Sequence, residues 1–357
     1  MDSVESAGGR LGAVLSAPRS GAVALGRHGP WLVTTPALAR RVLTDPGRFD
    51  FPGDVSRSGD LSSSRGATRS GHVVFAPLTP DAVARGVAVL DGEWDAALAE
   101  HDRRAPGEAY DAMALLRRPV ARSTVAAVLD TDTRTRDLVA DLTLAWIDSL
   151  APVISARRPP GRWSRVRRGE RDARFALDDA LSAVPGLPAP AEQVATVLAA
   201  GVQVPIAAGA WLLGWIAAHP ADHDPVHAVW ETLRLTPPTW ITARITTEPV
   251  DLAGTAVPAG RVVLVSPLLL GRLDELVPGD PDGGFDPTRW EDTSRRPGAW
   301  LPFGAGPHAC PGRTLGLGQL VHVATWAGRH RLALAEHVRI DQSRGISPLP
   351  CRFTVVS

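Results

Sequence analysis

Two cysteines occur in the 357 residues, Cys310 and Cys351. Only the first has neighbours suited to a reactive sulfur. It closes the run Phe303-Gly-Ala-Gly-Pro-His-Ala-Cys310 and is followed by Pro311-Gly312 and a stretch that reads as a helix to about Gly328. A thiolate needs positive surroundings to stay deprotonated, and the amides and dipole at a helix start provide them. Gly304, Gly306 and Gly312 let the backbone pass close to a flat ligand and aim N–H groups at the sulfur. Such hydrogen bonds tune the potential of a bound metal. Phe303 is placed to screen a metal–sulfur bond from water. These residues suggest Cys310 as a metal ligand; the competing reading is a structural cysteine in a glycine-rich turn.

A second pattern lies upstream. Glu231-Thr-Leu-Arg234 puts an acid and a base at i and i+3, on one face of the helix expected over 225–235. Taken alone it is an ordinary surface pair. With the cysteine run at its distance, the two together resemble the cytochrome P-450 family. Phe303, Gly306, Cys310 and Gly312 match the four fixed positions of its haem loop, F-x-x-G-x-x-x-C-x-G. The resemblance implies a mainly α fold with a minor β-sheet region, a shortened member of the bacterial soluble type. It covers nearly the whole chain from Trp31, and more weakly the middle third.

Several roles follow from that resemblance. Cys310 is the iron ligand of a haem b. Glu231, Arg234 and Arg289, the last in Phe285-Asp-Pro-Thr-Arg289-Trp, form a structural triad that locks the coil carrying the haem loop. His308 and Arg244 bond the haem propionates, and a guanidinium facing a carboxylate is good chemistry. Trp240 faces the pocket. Electrons come from a ferredoxin and its reductase. The substrate is a small organic molecule of specialised metabolism.

The central helix departs from the pattern. Where the family carries A-G-x-acid-Thr, this chain has Ala200-Gly201-Val202-Gln203-Val204, then Pro205. Val204 cannot relay a proton. Gln203 can hold a water but cannot act as a general acid near neutral pH. Two other functions therefore stand beside an oxygenase: a peroxide-dependent or redox-neutral haem enzyme, and a non-catalytic haem-binding partner. Ala67 and Gly71 stand where the family places a His and an Arg, with Arg69 and His72 as candidate substitutes.

The rest of the chain supplies the frame. Apolar residues recurring at three and four predict helices over 80–101, 109–129, 133–150, 161–184 and 191–219, with Pro and Gly clusters at 158–161 and 185–190 between them. A strand and helix are expected over 31–43, a loop over 56–71, and short strands at 241–246, 250–252, 261–265 and 353–356. Val194 to Ala218 is apolar but rich in small residues, and reads as a buried core helix rather than a membrane span. The arginines between Arg157 and Arg174 read as a solvated face. Charge balances at 38 basic and 38 acidic residues, which gives no field for nucleic acid or an anionic membrane. With no signal-like N-terminus, the expectation is one cytoplasmic domain over 1–357 whose first 25 residues are loosely ordered.

Overall fold

The computed structural model describes residues 1–27, 29–51, 75–156, 158–279, 284–295, 298–343 and 345–356. The loop expected over 56–71, with Ala67, Arg69 and Gly71, and also His72, lies outside them. Ten α-helices are described: α1 (Gly9–Leu15), α2 (Pro36–Thr44), α3 (Pro80–Arg104), α4 (Ala112–Val128), α5 (Thr133–Ser155), α6 (Arg165–Ser182), α7 (Ala191–Ala218), α8 (Pro225–Leu235), α9 (Pro267–Leu270) and α10 (Arg313–Ala327). The described residues cluster in two compact units, one drawn from 1–56 and 230–311, the other from 76–229 and 312–357.

The second unit is helical. Side-chain oxygens of Thr79, Asp111, Asp132 and Ser164 cap α3, α4, α5 and α6 by accepting an N–H of the first turn. Helix α7 is its axis: Leu198, Val202, Trp211, Leu212 and Leu213 are fully buried, and α4, α5, α6 and α10 all pack on it. The buried core helix expected here is present. Helix α5 runs one turn further than expected because it continues through Pro152. A small sheet, with Arg352–Val356 between Tyr110–Asp111 and Arg331–Leu334, covers one side of the unit. Of the arginines at 157–174, Arg158, Arg162, Arg165, Arg168 and Arg171 are exposed. Arg167 and Arg174 are ion-paired with Glu170 and Asp178. Arg157 lies outside the described residues.

The first unit holds a five-stranded sheet. Ala22–Ala24 and Trp31–Val33 form a hairpin whose second strand runs parallel to Val262–Val265, which pairs antiparallel with Thr242–Thr246, and Phe49–Asp50 closes the edge. Val33, Val42, Phe49, Val263 and Val265 form its core with α2. Within residues 1–25, expected to be loosely ordered, the regular elements are α1 and the strand Ala22–Ala24. Leu11 and Val14 of α1 are buried, and the Arg272 guanidinium reaches Glu5 at 2.5 Å while donating to the carbonyls of Leu268 and Leu235. The polar look of this segment concealed the burial of Val4, Leu11 and Val14 and the Glu5–Arg272 ion pair.

The Glu231 carboxylate, wholly buried, fixes the coil of this unit. It accepts from Arg234 Nε at 2.9 Å and Nη2 at 2.7 Å, Arg289 Nε at 2.9 Å, Trp290 Nε1 at 2.9 Å and the Asp286 amide at 3.2 Å. Arg234 also donates to the Gly271 carbonyl. On this cluster three indoles meet, Trp230, Trp290 and Trp300, with centroids 5.7–6.0 Å apart, and Trp300 touches Phe303 at 6.2 Å.

Two outcomes follow. Glu231→Gln strands two guanidiniums in the interior, a loss of about 3–5 kcal/mol; the variant should yield little folded protein, and a wild-type melting temperature would show that the cluster is dispensable. Burial works to raise the Glu5 pKa, but the charge and hydrogen bond of Arg272 outweigh it and hold the carboxyl below its ordinary value. The pair's stabilisation is therefore complete above the unfolded-state pKa of about 4.3 and is lost as pH falls through the lowered one. The melting-temperature gap between wild type and Glu5→Gln should close on acidification, which thermal scans across that range measure.

Candidate functional site

The cysteine run forms a closed loop. Cys310 N–H donates to the Phe303 carbonyl at 2.9 Å, and inside it the amides of Gly304 and Ala309 donate to Leu301 and Gly306 at 3.0 Å each. Gly304 and Gly306 have φ of +69° and +74°, a region that costs a side chain. Gly306 also lies on the end of α2, where a Cβ would stand 2.6 Å from the Leu43 carbonyl oxygen. That glycine is required by protein packing. Gly312 has an ordinary φ of −90° as N-cap of α10, and a Cβ there meets no protein atom within 4 Å.

The two cysteines differ sharply. Cys310 is exposed, ahead of the N-cap of α10, where the helix dipole favours negative charge. Cys351 is buried, donates to the Ala210 carbonyl at 3.3 Å, and has its pKa pushed up to about 12 by burial, with Asp111 and Glu336 adding to the rise. Only Cys310 suits a thiolate ligand.

Arg244 and His308 meet on one ring. The Arg244 guanidinium carbon sits 3.9 Å from the centre of Phe51, and the His308 ring meets the same phenyl edge-on at 4.6 Å. Arg244 lies opposite Val263 in the sheet and is 3% exposed. Its Nη1 donates to Thr242 Oγ1 and the Ala243 carbonyl, while its buried Nε has no hydrogen-bond partner. Among the described residues no carboxylate ion-pairs with it. Burial lowers its pKa, against the opposing charge of Asp50. A desolvated guanidinium with an unused N–H is suited to an incoming anion. Soft sulfur, buried cation and imidazole are the donor set that a haem with two carboxylates needs, so these residues fit that group.

The remaining candidates are placed as follows. Trp240 is buried at 7% exposure, and its carbonyl accepts from Ser266 Oγ at 2.7 Å. On α7, Gly201 and Gln203 are half-buried and Val204 is exposed. Sequence reasoning missed Phe51, Trp290 and Trp300. Trp290 directly follows Arg289, and a buried indole N–H needs an acceptor. Phe51 had no such signal, because its partners lie far along the chain.

Residues 226–326, from α8 to the end of α10, match the family model described as cytochrome P-450. Cyclooctat-9-en-7-ol 5-monooxygenase of Streptomyces melanosporofaciens is 36% identical over 172 residues, covering 40% of this chain and 37% of the relative. Pentalenene oxygenase of Streptomyces avermitilis is 30% identical over 149 residues, 34% of this chain and 33% of the relative. The chain thus spans well under half the length of the curated relatives it matches. The solved structures extend the likeness. The open cytochrome P-450 Eryk of S. erythraea superposes with a TM-score of 0.70 at 21% identity, over 92% of this chain and 91% of that one. A six-coordinate cytochrome P-450 of Thermus thermophilus gives 0.69 at 20%, over 92% and 93%. The chain thus shares the cytochrome P-450 fold along nearly its whole length, and its residues from α8 through the cysteine loop to the end of α10 match that family's model.

Proposed function

We propose that this chain is a haem-thiolate oxidoreductase acting on a small apolar or amphipathic molecule in bacterial specialised metabolism, and that residues 1–357 work as one cytoplasmic domain. The observation that carries this reading is the pairing of an exposed Cys310 at a helix start with a buried Arg244 whose Nε is unused. Cys310 would ligate the iron of a haem b. Arg244 and His308 would take its carboxylates, and Phe303, Gly304 and Gly312 would shape the thiolate side. When bound, an iron–thiolate centre supplies an electron-rich site for cleaving an oxygen–oxygen bond.

The protein's own residues set the rest. Glu231, Arg234 and Arg289 hold the coil that carries the loop. Gly201 lies against Thr124 of α4, Gln203 can anchor a water, and Val204 offers neither donor nor acceptor. Protons must then come from water or from a hydroxyl of the substrate. Trp240 would line the pocket. The named activities of the relatives, oxygenation of pentalenene and of cyclooctat-9-en-7-ol, support a monooxygenase over a peroxide-driven or redox-neutral enzyme; a ferredoxin and its reductase would feed it electrons.

Two outcomes test this. The reduced carbon monoxide spectrum should show a thiolate-ligated band in wild type and in Cys351→Ala, and none in Cys310→Ala; a normal band from the last would sink the assignment. With pentalenene or cyclooctat-9-en-7-ol as probe, product should require the electron donor and be indifferent to catalase. Turnover without donor would favour the redox-neutral reading, and turnover abolished by catalase the peroxide-driven one.

A further inference from the structure

Pro205 lies inside α7. It has no N–H, so it cannot make the bond to the carbonyl four residues back, that of Gly201. A side chain from another helix takes the place of that amide: Thr124 Oγ1 of α4 donates to the Gly201 carbonyl at 3.2 Å. The methyl of the same threonine lies 3.0 Å from where a Cβ on Gly201 would stand, so both ends of its side chain bear on this one residue.

Thr124 is itself held. Gln319 Nε2 of α10 donates to Thr124 Oγ1 at 3.3 Å and to Ser123 Oγ at 2.9 Å, and Ser123 Oγ donates to the Gly86 carbonyl of α3 at 2.8 Å. Thr124, Ser123 and Gln319 are at most 2% exposed. Both hydroxyl protons are spent on carbonyls, so the hydroxyls can only accept from the amide, which fixes its orientation. Gln319 Oε1 is left buried without a partner. An unsatisfied buried acceptor costs stability, and here it accompanies a network ending on the one α7 carbonyl that Pro205 deprives of its usual amide.

We propose that Thr124 is a positioning residue for α7: through the Gly201 carbonyl it fixes the stretch that carries Gly201, Gln203 and Val204. This rests on the haem-thiolate reading above. A carbonyl oxygen has two lone pairs. Thr124 takes one and so sets the direction in which the other is offered to a water or a substrate hydroxyl, on a helix with no acid–alcohol pair to order them. Released from Thr124, the carbonyl turns to recruit water on its own terms.

The test uses holoprotein without substrate and reads the return of the dithionite-reduced protein to the ferric form in air-saturated buffer, beside thermal melting. Thr124→Val keeps the packing and loses the donor; it should lower the melting temperature and speed the return by about threefold to tenfold. Thr124→Ser, which keeps the hydroxyl, should restore both. Pro205→Ala gives α7 back its amide, so adding Thr124→Val to it should change neither measurement. A lowered melting temperature with an unchanged return rate would reduce Thr124 to a structural contact and overturn the proposal. So would an equal effect of Thr124→Val with and without Pro205. Should Thr124→Val alone fail to load haem, the Pro205→Ala double variant must load it at wild-type level, and failure there also overturns the idea. Absence of any thiolate-ligated carbon monoxide band in wild type would instead refute the haem-thiolate reading, and the melting data would still report on the hydrogen bond.

Discussion

A buried carboxylate is tolerable only when every lone pair is used, and Glu231 meets that condition with five donors. Two guanidiniums against one carboxylate leave excess positive charge, which Asp286, 3.7 Å from Arg289 and half exposed, offsets. The donors come from three places in the chain: the last turn of α8, the backbone at Asp286, and the Arg289-Trp290 pair. One side chain thus determines where the 284–290 coil runs. The indoles of Trp230, Trp290 and Trp300 extend the constraint by close packing to Phe303. Phe303 in turn holds the backbone of Cys310 through its carbonyl. The position of the sulfur is, at this remove, a consequence of the electrostatics at Glu231.

The fold and the candidate site were unequally legible in the sequence. Helices α3 to α8 could be read because each buries a stripe at helical spacing between Pro and Gly breaks, and α8 has the bounds expected of it. The cysteine loop could be read because its constraints are local: a carbonyl seven residues from the amide it accepts, and positive φ at two glycines. The N-terminal segment could not, since burial of Leu11 and the Glu5–Arg272 pair depend on residues far along the chain. Phe51 and Thr124 were invisible for the same reason. A phenylalanine between Arg244 and His308, or a threonine under a proline-freed carbonyl, becomes meaningful only when distant segments meet.

Gly306 shows how one residue can satisfy two masters. Its fixed place in the family pattern suggests a need set by the ligand, yet in this chain a Cβ there would strike the Leu43 carbonyl of α2. Gly312 is the reverse case, with an ordinary φ and open space around it. What the protein's own packing does not require of Gly312 is left for whatever lies beside the cysteine to require. The contrast separates a glycine that seats the loop on the protein from one that leaves the loop's other side bare.

The parallel pairing of Trp31–Val33 with Val262–Val265 bears on the order of events during synthesis. The hairpin at 22–33 leaves the ribosome early, carrying the apolar Leu32 and Val33 that end fully buried, but its neighbour in the sheet does not yet exist. The helices α3 to α6 that emerge meanwhile pack on their immediate successors, contacts of short separation that form fast. The helical block can therefore collapse while an unpaired apolar edge waits beside it, a state prone to wrong partners. Cys310 emerges later still, after the strands that complete the sheet, so most of the frame that seats the cysteine loop has been made before the loop itself appears.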